Sequence, residues 1–230
     1  MLKAPDDSGH PLTQAFAAFI GTADFPCVGA KAALNRIGMR FVAARDFASA
    51  WDDLRILPAL LDLARRYRTL PQLFQSLAVI FESGAPDNEA AFEHLLWQRL
   101  NSLTAKDEWL GQQPDDRVTH DPDDPHFALS FGGEAFFVVG LHPRASRPAR
   151  RFSHPAMVFN LHDQFEQLRA TGRYDRLRET ISARDIKLAG SANPMLAPHG
   201  AASAARQYSG RAVEAGWTCP FSGRARADAA

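Results

Sequence analysis

The chain has 230 residues, 46% of them hydrophobic and 23% charged, a balance that excludes disorder over most of its length. Its 26 basic and 26 acidic side chains cancel, so no overall field directs it to nucleic acid or an anionic membrane. Its 2 cysteines exclude a disulfide framework, and no apolar run approaches the roughly 18 residues that a membrane span needs.

The opening MLKAPDDSGHPL has two early acids and no apolar core, which argues against a signal peptide and for a cytoplasmic protein. Residues 1–10 are expected to form a disordered tail. A helix is expected from Pro11 to Gly21, with Phe16, Phe19 and Ile20 on one face. A second, CVGAKAALNRIG, opens at Cys27 and is closed by Gly38, and MRFVAA then reads as a short strand. From Asp46 the pattern is helical again. Phe47, Trp51, Leu54, Leu57, Leu60, Leu61 and Leu63 share its apolar spacing, with an interruption at Pro58.

LAVIF, ending at Phe81, is strand-like, and ESGAPD is a turn. DNEAAFEHLLWQRLNSL is an amphipathic helix with acids in its first turn and Phe92, Leu95, Leu96, Leu100 and Leu103 inward. GQQPDDRVTHDPDDPH reads as a surface loop. FALSF and EAFFVVGL, joined at Gly132–Gly133, give a hairpin, and AMVFN a further strand. LHDQFEQLRATG and YDRLRETISARDIKLAG are two helices ended by glycines. Beyond Gly190 regular patterning fades, yet Met195, Leu196, Tyr208, Trp217 and Phe221 remain as anchors, so an ordered arm is expected up to Phe221 and disorder over 222–230. The sum is one α+β domain over 11–221. Its mixed, mostly antiparallel sheet of about five strands is flanked by helices and followed by a loop-rich ordered C-terminal arm.

Phosphate-binding glycine loops, HExxH, CxxC and G-x-S-x-G are all absent. Cys27 follows Pro26 at a helix start, where the dipole and free N–H groups lower a thiol's pKa and suit it to nucleophilic or metal-ligating work. The CVG turn resembles, in form, the thiolate loop of some haem monooxygenases. The competing reading is a buried small hydrophobe between Phe25 and Val28. Cys219, followed by Pro220, reads as a packing anchor of the arm. Each thiol has a proline and an aromatic ring beside it, so the two are expected to be neighbours in space, unbridged in a reducing compartment.

His142 and His162 follow apolar strands, which hold functional groups rigidly, and imidazole is a common axial ligand of haem iron. Each also reads as a hydrogen-bonded structural histidine. His10, His120, His126 and His199 fall in loop segments. Arg144, Arg147, Arg150 and Arg151 cluster just past His142, and Arg206 and Arg211 flank QYSG. Guanidinium groups in such clusters suit haem propionates or an anionic substrate, the alternative being a salt-bridged surface loop.

FPCVGAKAAL, FFVVGLHPRASRPARRF, VFNLHDQFEQLR, ARDIKLAGSANPML, ARQYSGR and WTCPF occur in this order. Together they resemble the YqcI/YcgG family over about Phe16 to Phe221. Members include the haem-dependent pre-guanitoxin N-hydroxylase and the arginine N-hydroxylase of D-cycloserine biosynthesis. The resemblance implies a haem b (iron) enzyme that N-hydroxylates a guanidino or amino small molecule with an external electron donor, and no nucleic-acid or membrane partner. It implies an axial ligand among Cys27, His142 and His162, with Cys27 favoured because a helix start stabilises a thiolate. Arg144, Arg147, Arg151, Arg206 and Arg211 become cofactor clamps, and Tyr208 a donor to bound oxygen. Members often carry an acid where Ala204 stands here, so Glu82 and Glu134 are the candidate carboxylates for a substrate cation. The alternative is a non-catalytic haem or small-anion binding or sensor protein.

Overall fold

The computed structural model describes residues 4–196 and 201–223. His199 and the last residues of the expected C-terminal tail lie outside the described residues. Five strands form one mixed sheet: β1 (Met39–Asp46), β2 (Ser76–Ser83), β3 (Leu129–Phe131), β4 (Glu134–Leu141) and β5 (Ala156–Leu161), in the order β1-β2-β5-β4-β3. Helices α1 (Pro11–Gly21), α2 (Val28–Asn35), α3 (Asp53–Thr69), α4 (Glu89–Trp109), α5 (Asp163–Ala170), α6 (Tyr174–Ala189) and α7 (Ala205–Tyr208) flank it. Strands β1 and β2 are parallel, since α3 carries the chain back between them, and the other three pairings are antiparallel. This is the expected α+β domain.

Alternation along the strands makes two cores. Leu77, Val79 and Phe81 of β2 point to the side covered by α3 and α4, whereas Ala78 and Ile80 point to the side of α1 and α2. On the first side α4 buries Phe92, Leu96, Leu100 and Leu103 completely. Each stabilises the fold by about 1.5–3 kcal/mol in transfer free energy. The Asn88 side chain caps α4, accepting from the Ala91 N–H at 2.9 Å. Gly132 and Gly133 both take positive φ, the geometry of a tight two-residue hairpin turn.

Three local expectations change. Helix α3 runs through Pro58 without interruption. The hydrogen bond this proline forfeits is to the carbonyl of Leu54, an exposed residue whose carbonyl can turn to water. Trp51 and Leu54 are 72% and 62% exposed, so the inward face of that segment is carried by Ile56, Leu57, Leu60 and Leu63 instead. Helix α2 ends at Asn35, and the left-handed residue beyond it is Ile37, φ 56°, rather than Gly38. Gly38 is required for proximity: a Cβ there would lie 2.4 Å from the carbonyl oxygen of Phe74.

Both edges of the sheet are managed. At β1, Asp7 donates its N–H to Phe41 O at 3.2 Å and accepts from the Ala43 N–H at 2.8 Å, and Asp52 accepts from the Arg45 N–H at 2.6 Å. At the other edge β3 covers only Glu134–Phe136, and α7 lies along the rest of β4. There the Tyr208 hydroxyl donates to Phe136 O at 3.2 Å and the Arg150 guanidinium to Gly140 O at 2.9 Å. Gly140 lets the arm in, since a Cβ there would meet Phe92 Cε1 at 2.6 Å and Tyr208 O at 3.0 Å.

Candidate functional site

The α1–α2 side of the sheet encloses a cavity of about 380 Å3, within the roughly 300–1,000 Å3 of small-molecule and cofactor sites. Phe137, Val139, Leu141 and Val158 of β4 and β5 form its floor, and Phe16, Ile20 and Phe25 one wall. Helix α6 forms another. Of its 16 residues only Asp185 is buried, and Tyr174, Leu177, Arg178, Ile181, Ser182 and Asp185 line the cavity at the spacing of one helix face. The apolar stripe of α6 thus faces a cavity rather than a packed core.

Cys27 is the residue before α2, and its Sγ accepts from the Ala30 N–H at 3.4 Å in the cavity wall. The expected lowering of its pKa does not result. Burial pushes the thiol up and outweighs the opposing backbone N–H donors of Ala30 and Gly29 and the nearby positive charge of Arg150. Phe74 also lines the wall with its backbone held at φ 66°, a conformation costly for an aromatic residue and made compatible with the neighbouring chain by Gly38.

Four arginines and one acid line the cavity. Arg150 donates to three carbonyls, Gly140 O at 2.9 Å, Tyr208 O at 3.2 Å and Gln207 O at 3.2 Å. No carboxylate among the described residues is paired with it, and burial lowers its guanidinium to about 10 while Cys27 and Asp185 pull the other way. Arg147 pairs with Asp185 and also donates to Ser191 O at 3.0 Å. Arg169 bonds Glu166 and lies 4.3 Å over the Tyr174 ring. Arg178 has no hydrogen bond or ion pair among the described residues. His162 lines the cavity with Nε2 3.9 Å from Glu166. Asn160 and Gln164 add neutral polar groups.

Of the residues expected from sequence, the cavity gathers Cys27, Arg147, Arg150 and His162. The others lie elsewhere. His142 is 1% exposed and stacks on Phe92 at 4.2 Å, with Nδ1 unpartnered and no face on the cavity. Tyr208 is fully buried against Trp97, its hydroxyl spent on Phe136 O. Glu134 accepts from Arg117 at 2.8 Å beside Asp115 in an ion-pair network under the β3–β4 turn. Glu82 is exposed at the end of β2.

Arg144 is exposed, and Arg151 holds its own loop through Ala145 O and Ser146 O, both at 2.8 Å. Arg206 lies over Trp217 at 5.4 Å, and Arg211 bonds Glu93 of α4 at 2.9 Å, so both pin the arm. Cys219 packs in the α3–α4 core and Cys27 on the opposite side of the sheet, so the two thiols are not neighbours. Their similar settings arise from separate packing needs. Burial pushes Cys219 up to about 12, an inert thiol.

Sequence reasoning placed Arg150 in the right cluster without its inward orientation, and it missed Arg169, Arg178 and Asp185. The signal available for the last two was the Tyr174, Leu177 and Ile181 stripe, which marks the inner face that also carries Arg178 and Asp185. Ala204, the position of an expected acid in relatives, also lines the cavity.

The model of the YqcI/YcgG family matches residues 16–222. Among curated proteins, the uncharacterized protein YqcI of Bacillus subtilis (strain 168) is 30% identical over 176 residues, covering 70% of this chain and 66% of that protein. The uncharacterized protein YcgG of the same organism is 26% identical over 173 residues, with the same 70% and 66% coverage. The chain therefore spans just under two thirds of the length of both relatives, at 66%. No solved structure matches it. Among the described residues no helix is long and apolar enough to cross a membrane.

Proposed function

The chain belongs to the YqcI/YcgG family, and on that premise we propose that it is a haem-dependent oxygenase acting on a small organic molecule held in the α6-covered cavity. The observation that carries this reading is the Cys27 sulfur at the start of α2, in the wall of an apolar cavity and within reach of the charge of Arg150.

The residues fit a thiolate-held haem b. A coordinated thiol loses its proton, and here the new negative charge meets the Ala30 and Gly29 N–H groups and Arg150, a cavity cation with no acid partner among the described residues. The apolar floor and the α1 wall suit a flat macrocycle, and Arg147, the expected clamp that the cavity gathers, suits its carboxylates. When bound, the group supplies oxygen activation, and a thiolate ligand favours O–O cleavage.

The chain's own residues do the rest. Phe16, Ile20, Phe25 and Leu141 exclude water. His162 lines the cavity with Nε2 3.9 Å from Glu166, and in this reading it would hold or pass a proton there. N-hydroxylation of a guanidino or amino substrate would call for an acid to hold the substrate cation, and the lining acid among the described residues, Asp185, is already held by Arg147, so oxidation of a small molecule is the reading carried forward. The cationic lining also serves a second reading, a non-catalytic haem or small-anion binder, and substrate-dependent consumption of oxidant separates the two.

The deciding experiment is reconstitution of the purified chain with hemin, followed by absorption spectra of the ferric form and of the reduced form under carbon monoxide. The expected result is a stoichiometric Soret band with the carbon monoxide signature of thiolate ligation, lost in Cys27→Ser and kept in His142→Phe. No stoichiometric uptake, or an unaltered spectrum in Cys27→Ser, overturns the proposal.

A further inference from the structure

We propose that the small molecule sharing this cavity is an organic acid, a carboxylate on an apolar body, and that Arg178 on the inner face of α6 is the residue that selects it. The inference rests on the same cavity as the oxygenase reading and concerns the charge of the second occupant.

A count of the lining charges leads there. Buried cations are ordinarily paired. Arg147 is matched by Asp185, and Arg169 by Glu166 and the Tyr174 ring. Arg150 is spent on three backbone carbonyls and stands near Cys27. Arg178 remains. It lines the cavity, is half-buried, and has no hydrogen bond or ion pair among the described residues. Arg169, which also lines the cavity, has a buried Nε without a hydrogen-bond partner among the described residues.

A cation, by contrast, finds no free acid. Asp185 is the sole lining carboxylate among the described residues and is already occupied. Leu177 and Ile181 flank Arg178 on the same face, so an acid bound there extends its body along apolar side chains toward the floor of β4. The fork of a guanidinium matches a carboxylate in two parallel bonds, which the single point charge of a lysine ammonium does not reproduce.

The test compares two probes with one apolar body, 4-phenylbutyrate and 4-phenylbutylamine, by calorimetry on the full chain, both without haem and after hemin loading. Phenylbutyrate is expected to bind at least roughly tenfold more tightly than the amine. Arg178→Gln is expected to remove that preference, Arg178→Lys to restore only part of it, and Arg176→Gln, on the exposed side of the same helix, to leave it intact. Hemin affinity in Arg178→Gln should stay within about twofold of the parent.

Equal binding of the two probes, or an unchanged preference in Arg178→Gln, overturns the proposal. So does a loss of hemin affinity without a loss of phenylbutyrate affinity, which would make Arg178 a clamp for haem carboxylates. Failure of hemin to load overturns the oxygenase reading alone, because the probe preference is read on the haem-free chain as well.

Discussion

Lowering the pH should weaken the fold through one side chain, His142. Its ring is 1% exposed, stacks 4.2 Å from Phe92, and leaves Nδ1 without a hydrogen-bond partner among the described residues. Burial holds its pKa down at about 4, with Glu89 pulling upward and Arg150 downward. An unfolded chain returns the imidazole to its ordinary value of 6.5. Between those two values the unfolded state binds a proton that the folded state refuses, so stability is fully present above the upper value and is lost as the pH falls toward the lower one. The whole window amounts to about 3 kcal/mol, of which about 2.5 is lost by about pH 4.5.

Urea unfolding followed by tryptophan fluorescence, from about pH 7 to about pH 4.5, gives the parent slope. His142→Phe keeps a ring on Phe92 and removes the titration. Any packing offset it introduces is constant with pH, so the difference between the two curves isolates the imidazole. Asp62 and Asp115, both held low by arginine partners, contribute only as the pH falls through their unfolded value of 3.8, and they cancel in the comparison. Parallel stability curves for the parent and His142→Phe would refute the reasoning.

Two further outcomes follow from the packing around the cavity. Arg147→Met leaves Asp185 buried without its cation, and urea unfolding should show a loss of roughly 3–5 kcal/mol, with the double variant Arg147→Met/Asp185→Leu recovering most of it. Gly140→Ala drives a methyl into Phe92 and the carbonyl of Tyr208 and should cost about 1–3 kcal/mol, with release of α7 detected as faster amide exchange over Ala205–Tyr208.

The elements were legible in the sequence because their signals are local. The Asn88 cap and the Phe92, Leu96, Leu100 and Leu103 spacing define α4, and the paired glycines define the β3–β4 turn. The parallel β1–β2 pairing depends on a crossover that no local pattern specifies. The site was legible only in part for the same reason. Cys27 and Arg147 stand in conspicuous segments, but which arginine of the 144–151 cluster turns inward depends on where the β4 edge ends, since Arg150 is drawn to the uncovered carbonyl of Gly140. His142 looked like a ligand because it follows a strand, yet strand parity sends it toward α4 rather than toward the cavity. The two cysteines share neighbours in sequence and not in space, since the sheet stands between them.

The short reach of β3 has a consequence for how this protein behaves among its own copies. Beyond Phe136, β4 has no strand partner on its outer side among the described residues, and the backbone there is a template on which another chain could add a strand. Tyr208 and Arg150 occupy that template with a hydroxyl and a guanidinium, groups that satisfy carbonyls without offering a new ladder to extend. The arm thus terminates the sheet as well as covering it. A chain cut before Ala205 would retain every strand and most of both cores while exposing a growing edge, so its characteristic failure would be self-association through β4 rather than simple unfolding.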